Sequence, residues 1–296
     1  DEFYTQFVDI ENELIHYQGH FEGKVVFCNC DDPMTSNFFK YFVINFKKLG
    51  IKKLIASCYT NQINKQGYYY EYTGNENPNY NNITYFEGNG DFRSVESIEL
   101  LKQADLVVTN PPFSMFREYI AQLIKYNKKF LTIGNINCIT YKEIFKLIKE
   151  NRAWLGINLG RGISGFIVPK HYELYGTETK IEESGNRIIS TNNCLWLTNL
   201  DNKKRHKNII LTEEYIGNEN KYPKYDNYDG INVNKTKEIP FDYKGYMGVP
   251  ITFLHKFNPE QFEIIKFRKG DDGKDLSIKG KCPYFRILIK NKQTQT

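Results

Sequence analysis

Apolar residues recur at Phe3, Phe7, Ile10, Leu14 and Tyr17. That spacing predicts a helix over 3–17 with an acidic face toward water. After Gly23 the period changes, and the run Val25-Val26-Phe27-Cys28 predicts a short buried strand. Ser36 is a candidate N-cap for a helix carrying Phe38, Phe39, Tyr41, Phe42, Ile44 and Phe46 and closed by Gly50. Residues 53–59 predict a second strand. Residues 61–82, rich in Asn, Tyr and Gly, read as an excursion with hairpin character. A third strand is predicted at 83–86, ending in Gly88-Asn89-Gly90-Asp91-Phe92, and Ser94 then caps a helix to Gln103. Leu106-Val107-Val108 predicts a fourth strand, followed by a helix over 114–127. A fifth strand falls at 129–134 and a further helix at 140–150. Strand and helix alternating five times predict an α/β fold, a doubly wound, mostly parallel sheet with right-handed crossovers.

Beyond Trp154 the text becomes strand-rich, with strands expected at Val168-Pro169 and 193–198. From Asp201 to about 247 it is irregular. Strands at 262–267 and 285–290 then predict a smaller C-terminal mixed β region. A boundary is expected near residue 200, giving domains 1–200 and 201–296.

The stretch Asp105-Leu-Val-Val-Thr-Asn-Pro-Pro-Phe113 organises the chain. It places Asn110-Pro111-Pro112-Phe113 at the carboxyl end of a strand, where open α/β sheets bind ligands. Two consecutive prolines continue neither strand nor helix. They fix a stiff turn that aims the Asn110 side chain and the Pro111 carbonyl outward. Those two oxygens can each accept one hydrogen of an exocyclic aromatic amine. Accepting them localises the nitrogen lone pair as an electrophile approaches, which stabilises the transition state. Phe113 offers a face for a base to stack on. The competing reading is a Pro-Pro loop that only stops a strand.

Asn-Pro-Pro-Phe resembles the catalytic motif of S-adenosylmethionine-dependent amino-methyltransferases acting on adenine N6. The runs Asp1-Glu2-Phe3-Tyr4-Thr5-Gln6, Cys28-Asn29-Cys30-Asp31-Asp32-Pro33, Ser36-Asn37-Phe38-Phe39 and Trp196-Leu-Thr-Asn-Leu-Asp201 narrow it. With Gly248-Val-Pro-Ile-Thr-Phe-Leu254 and Asn258-Pro-Glu-Gln-Phe262 they resemble the EcoRI-type adenine-specific DNA methyltransferases over nearly the whole chain. The resemblance implies a seven-stranded methyltransferase sheet, S-adenosylmethionine as cofactor and double-stranded DNA as partner. It also implies a base flipped out of the duplex for direct in-line methyl transfer, with a C-terminal region that recognises the DNA target. No covalent intermediate, and so no catalytic Cys, is needed. A restriction-modification enzyme or an orphan methylase is expected. An RNA or protein methyltransferase with the same motif is the alternative. A DNA-binding protein that has lost catalysis is a third reading, and the intact motif argues against it.

The same resemblance implies a cofactor site at the strand ends. The first turn has no glycine; it reads Asn29, Cys30, Asp31, Asp32, Pro33. A carboxylate there can hold the cofactor α-amino group; Asp31 is the candidate, while Asp32 can cap the next helix. The second strand ends in Ser57 and Cys58 with no acid, so ribose recognition must use Ser57 or backbone groups. Asp91 and Phe92 suit the cofactor adenine as acceptor and wall, unless Asp91 is an ordinary turn residue. Tyr4 and Thr5 resemble the segment that closes over the cofactor carboxylate.

Charge refines the C-terminal expectation. Residues 201–296 carry 19 Lys/Arg against 13 Asp/Glu, or +6, and residues 1–200 carry 21 against 22, or −1. A polyanion partner fits this split, and so does a solvated lysine-rich surface. Lys203, Lys204, Arg205 and Lys207 are the candidate phosphate-binding residues. The six cysteines lack zinc spacing and fit reduced thiols of a cytoplasmic protein. No metal is expected. No run of eighteen apolar residues predicts a membrane span. A monomer or weak dimer is expected.

Overall fold

The computed structural model describes residues 3–74, 77–170, 172, 179–182, 184–190 and 192–293. Asp1 and Glu2 of the N-terminal run lie outside them. The strands in chain order are β1 (Tyr4–Thr5), β2 (Val25–Cys28), β3 (Lys53–Cys58), β4 (Tyr68–Tyr72), β5 (Thr84–Tyr85), β6 (Leu106–Thr109), β7 (Lys129–Asn135) and β8 (Trp154–Leu159). They continue as β9 (Phe166–Val168), β10 (Thr179–Ile181), β11 (Arg187–Ile189), β12 (Cys194–Thr198), β13 (Gly230–Asn232), β14 (Tyr246–Pro250), β15 (Phe262–Phe267) and β16 (Arg286–Asn291). The α-helices are α1 (Phe7–Leu14), α2 (Asn37–Asn45), α3 (Val95–Gln103), α4 (Phe116–Lys125) and α5 (Lys142–Lys149). The chain divides into two compact units, residues 1–147 with 153–201, and residues 148–152 with 202–296.

The first unit is built on an eight-stranded mixed sheet of order β5-β4-β3-β2-β6-β7-β12-β8. Its centre is parallel, with β2 pairing to β3 and β6, and β6 to β7. The remaining neighbours pair antiparallel. The expected seven strands become eight because residues 68–72 of the Asn/Tyr/Gly-rich excursion form β4. Tyr70 there turns inward onto Phe39, with centroids 5.8 Å apart. β4 separates β3 from the short edge strand β5, so the third predicted strand does not pair with the second.

The central strands are apolar on both faces because both are covered. Val26, Cys28, Leu54, Ala56, Leu106, Val108 and Leu131 join Ile10, Leu14, Phe38, Phe39, Phe42 and Trp196 in one core. The alternate residues Phe27, Ile55, Val107 and Phe130 are buried too, as period-2 geometry requires. Removing a phenylalanine of this size from water contributes about 1.5–3 kcal/mol. Ser36 caps α2 by accepting from the Phe38 and Phe39 amides, and Ser94 caps α3 through Ser97.

The N-terminal helix is shorter than its periodicity predicts. Tyr4 and Thr5 pair with Ile167 and Phe166 of β9 instead. β1 is the edge of a second sheet, β1-β9-β11-β10. Behind it, buried Glu13 clamps α1 to β8, accepting from Tyr17 Oη (2.9 Å), the Ile157 and Asn158 amides (2.8 Å each) and Asn158 Nδ2 (2.9 Å). Burial raises the Glu13 carboxyl above its ordinary value.

The second unit holds a four-stranded mixed sheet of order β13-β14-β16-β15. One face, with Ile231, Met247, Val249, Ile264, Ile287 and Ile289, is buried. At Gly248 a Cβ would overlap the Tyr225 hydroxyl, so the phenol lies directly on the strand.

Candidate active site

β6 lies inside the sheet between β2 and β7, and its carboxyl end delivers Asn110. Pro111 is buried; Pro112 is extended (φ −62°, ψ 122°) and its carbonyl accepts from the Met115 amide at 3.0 Å. The chain then enters a 3-10 turn, Phe113–Met115, and α4. Asn110 Nδ2 donates to the Phe3 carbonyl at 3.0 Å. Because the amide is planar, that bond fixes where Oδ1 points. Asn110 Oδ1 is buried and has no hydrogen-bond partner. Among the described residues nothing donates to the Pro111 carbonyl either. A buried acceptor left without a donor costs about 1–3 kcal/mol. An N–H group placed against this loop would satisfy that acceptor. Phe113, half-buried, meets Phe166 edge-on at 6.4 Å, and Phe166 meets Phe3 at 6.0 Å.

Asp31 ties the first strand's turn to this loop. Its Oδ1 accepts from Ser36 Oγ at 2.7 Å and its Oδ2 from Thr109 Oγ1. Its own amide donates to the Ser57 carbonyl at 3.1 Å. Burial raises the Asp31 carboxyl from 3.8 to about 6, opposed by the Thr109 and Ser36 hydroxyls and by the Asn110 amide. A carboxylate offers about four lone-pair directions, so capacity remains for one further donor such as an ammonium group. Asp32 has a separate role. It accepts from the Met34 amide (2.9 Å), Thr35 Oγ1 (3.3 Å) and Tyr68 Oη (2.9 Å), which shapes the turn, while Ser36 does the capping. Pro33 is buried in the same turn.

The other expected cofactor residues lie around these loops in two different conditions. Asn29 and Ser57 are engaged internally: Ser57 Oγ donates to the Asn29 carbonyl at 3.2 Å, and Asn29 Oδ1 accepts from Tyr119 Oη. Cys30 and Cys58 are half-buried at the ends of β2 and β3. At Gly90 (φ +78°) a Cβ would lie 2.6 Å from the Cys58 carbonyl oxygen, so the Asp91 loop closes tightly on the end of β3. Asp91 takes Arg93 through Oδ1 (Nε, 2.9 Å) and Oδ2 (Nη2, 2.7 Å), and accepts the Arg93 amide at 2.8 Å. The Arg93 hydrogen bond holds its carboxyl below the ordinary range. Phe92 is buried edge-on against Tyr119 at 5.2 Å. Tyr4 is exposed, whereas Thr5 Oγ1 is buried without a partner.

Sequence reasoning missed four contributors. Thr109 and Ser36 complete the Asp31 clasp. Asn37 Nδ2 donates to the Thr5 carbonyl at 2.9 Å and pins the N-terminal segment. Gln122 Nε2 donates to the Phe92 carbonyl at 3.1 Å, and its Oε1 is buried without a partner. Polar residues inside a helix pattern, such as Gln122, read as surface positions, and only the fold brings them inward. Unpartnered buried atoms of Thr5, Asn110 and Gln122 therefore bound the loops at the carboxyl ends of the strands. The donor set fits an amino-acid-bearing nucleoside: a hydroxyl for a carboxylate, a carboxylate for an amine, and an amide oxygen beside an aromatic wall for a base amine.

In the second unit, Lys203–His206 form a 3-10 turn capped by Asn202 Oδ1, which accepts from the Lys204 (3.1 Å) and Arg205 (3.3 Å) amides. Lys203 and Lys207 are exposed. Arg205 Nη2 donates to Asn151 Oδ1, which gives Arg205 a structural task. Among the described residues, no group of His, Cys, Asp or Glu could hold a metal ion, and no helix is long and apolar enough to cross a membrane.

The family model described as "Adenine-specific methyltransferase EcoRI" matches residues 1–292. The chain is 68% identical over 307 residues to Type II methyltransferase M.EcoRI of Escherichia coli, covering 100% of this chain and 94% of that protein. It is 41% identical to Type II methyltransferase M.MgeORF184P of Mycoplasma genitalium, with 99% and 96% covered. It is 39% identical to Type II methyltransferase M.MpnI of Mycoplasma pneumoniae, with 99% and 95% covered. No solved structure matches.

Proposed function

The chain belongs to the EcoRI family of adenine-specific methyltransferases, and on that premise we propose that Asn110 and Pro111 activate the N6 amine of an adenine flipped out of duplex DNA. The observation that carries the reading is the buried, unpartnered Asn110 Oδ1, held in orientation by the Phe3 carbonyl. One amine hydrogen goes to Oδ1 and the other to the Pro111 carbonyl. As the amine loses its conjugation with the ring, both acceptors strengthen their hold, so they stabilise the transition state more than the ground state. Pro112 keeps the loop stiff and Phe113 stacks on the base. S-adenosylmethionine, when bound, supplies the electrophilic methyl group.

The residues that would hold that cofactor are Thr5 for its carboxylate, Asp31 for its ammonium group, and Phe92 with Gln122 for its adenine. Asp91 serves the adenine only if it shares its carboxylate with Arg93. Asn29, Cys30, Pro33, Ser57 and Cys58 form the floor of the site, with ribose recognition left to the backbone there, and Tyr4 belongs to the strap above it. The sheet is the seven-stranded methyltransferase arrangement with β4 inserted. Residues 1–200 form the catalytic domain and 201–296 the DNA-recognition domain, whose Lys203, Lys204 and Lys207 meet phosphates while Arg205 holds their turn. The enzyme acts as a monomer or weak dimer within a restriction-modification system.

Transfer of tritiated methyl from S-adenosylmethionine to duplex DNA, RNA and protein tests the reading. Incorporation into DNA alone, located at adenine N6 by single-molecule sequencing, is expected. Incorporation into RNA or protein and not DNA would overturn it.

A further inference from the structure

Residues 266–290 hold eight Lys or Arg and three Asp, a net +5 that equals the charge of the whole chain. At the end of this stretch, just before β16, Tyr284 and Phe285 stack on each other with centroids 5.0 Å apart and planes at 27°. Tyr284 is 76% exposed and Phe285 36%. Exposed aromatic rings are usually scattered singly; these are paired and braced from below. Arg268 lies 4.1 Å over the Phe285 ring and is itself held by Asp275 at 2.6 Å. Arg286, 9% exposed, donates through Nη1 to the Tyr284 carbonyl at 2.8 Å and through Nε to Asn232 Oδ1 at 2.9 Å. Tyr225 Oη donates to that same Asn232 oxygen at 2.9 Å. A buried cation engaged with loop carbonyls fixes the loop's shape before any partner arrives, which lowers the ordering cost of binding.

We propose that the Tyr284–Phe285 pair is a stacking element for DNA whose base stack has been opened, flanked by lysines that take the adjoining phosphates. The inference rests on the DNA methyltransferase reading above. An aromatic face carries no sequence information, because every base presents a π-face. In an intact duplex those faces are covered by neighbouring bases, and they become available where a base leaves the stack. Lys279 and Lys281 precede the rings in the chain and Lys290 follows them, an order that suits a ligand alternating phosphate with base. A second copy of this chain is the competing occupant, and the test separates the two.

Fluorescence anisotropy is run with the full chain on two labelled duplexes of one sequence, one fully paired and one carrying a short unpaired bubble. The wild type is expected to favour the bubble. Tyr284→Ala and Phe285→Ala should each weaken bubble binding about 5- to 100-fold. The same variants should leave paired-duplex binding, thermal midpoint and S-adenosylhomocysteine binding unchanged, and Tyr284→Phe should retain the preference. Equal loss on both duplexes, or no loss on either, would overturn the stacking role. A drop in sedimenting mass in Tyr284→Ala would assign the surface to self-association instead. A wild type that binds neither duplex would remove the DNA reading itself, a result distinct from a failure of the variants alone.

Discussion

Replacing Thr109 by Val keeps the shape of a buried side chain and removes one hydroxyl. That hydroxyl donates to Asp31 Oδ2, while Ser36 donates to Oδ1 at 2.7 Å. Burial has already raised the Asp31 carboxyl from 3.8 to about 6, and the Thr109 bond is the first of the interactions opposing the rise. Protonating Asp31 removes the negative charge that the Thr109 and Ser36 hydroxyls and the Asn110 amide stabilise, so those hydrogen bonds weaken and the Asn110 loop loosens. The kcat/KM for S-adenosylmethionine, which reports the free enzyme, should therefore show an acid limb near pH 6 in the wild type. A hydrogen bond to a charged group contributes about 1.5–3 kcal/mol, so its loss in Thr109→Val should move that limb upward by about 1–2 pH units. Asp31→Asn should abolish the limb and lower the rate at every pH. The folded-state value lies above the unfolded one. This group's contribution to stability is thus fully present below about 3.8 and lost as pH rises through about 6. Thermal midpoints of Asp31→Asn should lack that component. The assay is methyl transfer at limiting S-adenosylmethionine and saturating DNA from pH 5 to 9, with melting curves on the same proteins. An unmoved limb in Thr109→Val, or a surviving limb in Asp31→Asn, would refute the clasp.

Other substitutions probe neighbouring links. Asn37→Ala frees the Thr5 carbonyl and loosens the strap that orients Asn110, so kcat should fall more than the KM for DNA changes; an equal fall in thermal stability with full activity per folded molecule would contradict this. Phe113→Ala should weaken the hold on the flipped base by about 1–3 kcal/mol, read as fluorescence of 2-aminopurine at the target position. Neutralising Lys203, Lys204 and Lys207 together should weaken binding on all sequences alike and lower the slope of log K against log salt by about 0.9 for each phosphate left without its lysine. An unchanged slope would make that turn a solvated surface.

The parallel centre of the sheet is legible in the sequence because continuous apolar runs, Ser caps and terminating glycines agree with one another at β2, β3, β6 and β7. Asn110-Pro-Pro-Phe113 is legible because two prolines after an apolar strand leave few conformations. Asp31 stands out in the sequence, but its partners do not: Thr109 is a strand residue and Ser36 a helix cap, each already explained locally. The pairing of β1 with β9 joins residues more than 160 positions apart, and local periodicity carries no trace of it. β4 is obscured because its tyrosines sit among Asn and Gly that read as loop. Asp91 looks like a free acceptor because nothing in sequence order reveals how Arg93, two residues later, folds back on it.

One variant tests most directly the proposal that Asn110 Oδ1 accepts from the substrate amine. Asn110→Ala removes that atom and leaves Thr5, Asp31 and Gln122 in place. Single-turnover methyl transfer to duplex DNA and calorimetric titration with S-adenosylhomocysteine should be measured on one preparation of this variant. The rate should fall about 100-fold or more, as when a single oxyanion-type hydrogen bond is removed, with S-adenosylhomocysteine affinity unchanged. A variant that turns over at close to the wild-type rate would remove Asn110 from the mechanism.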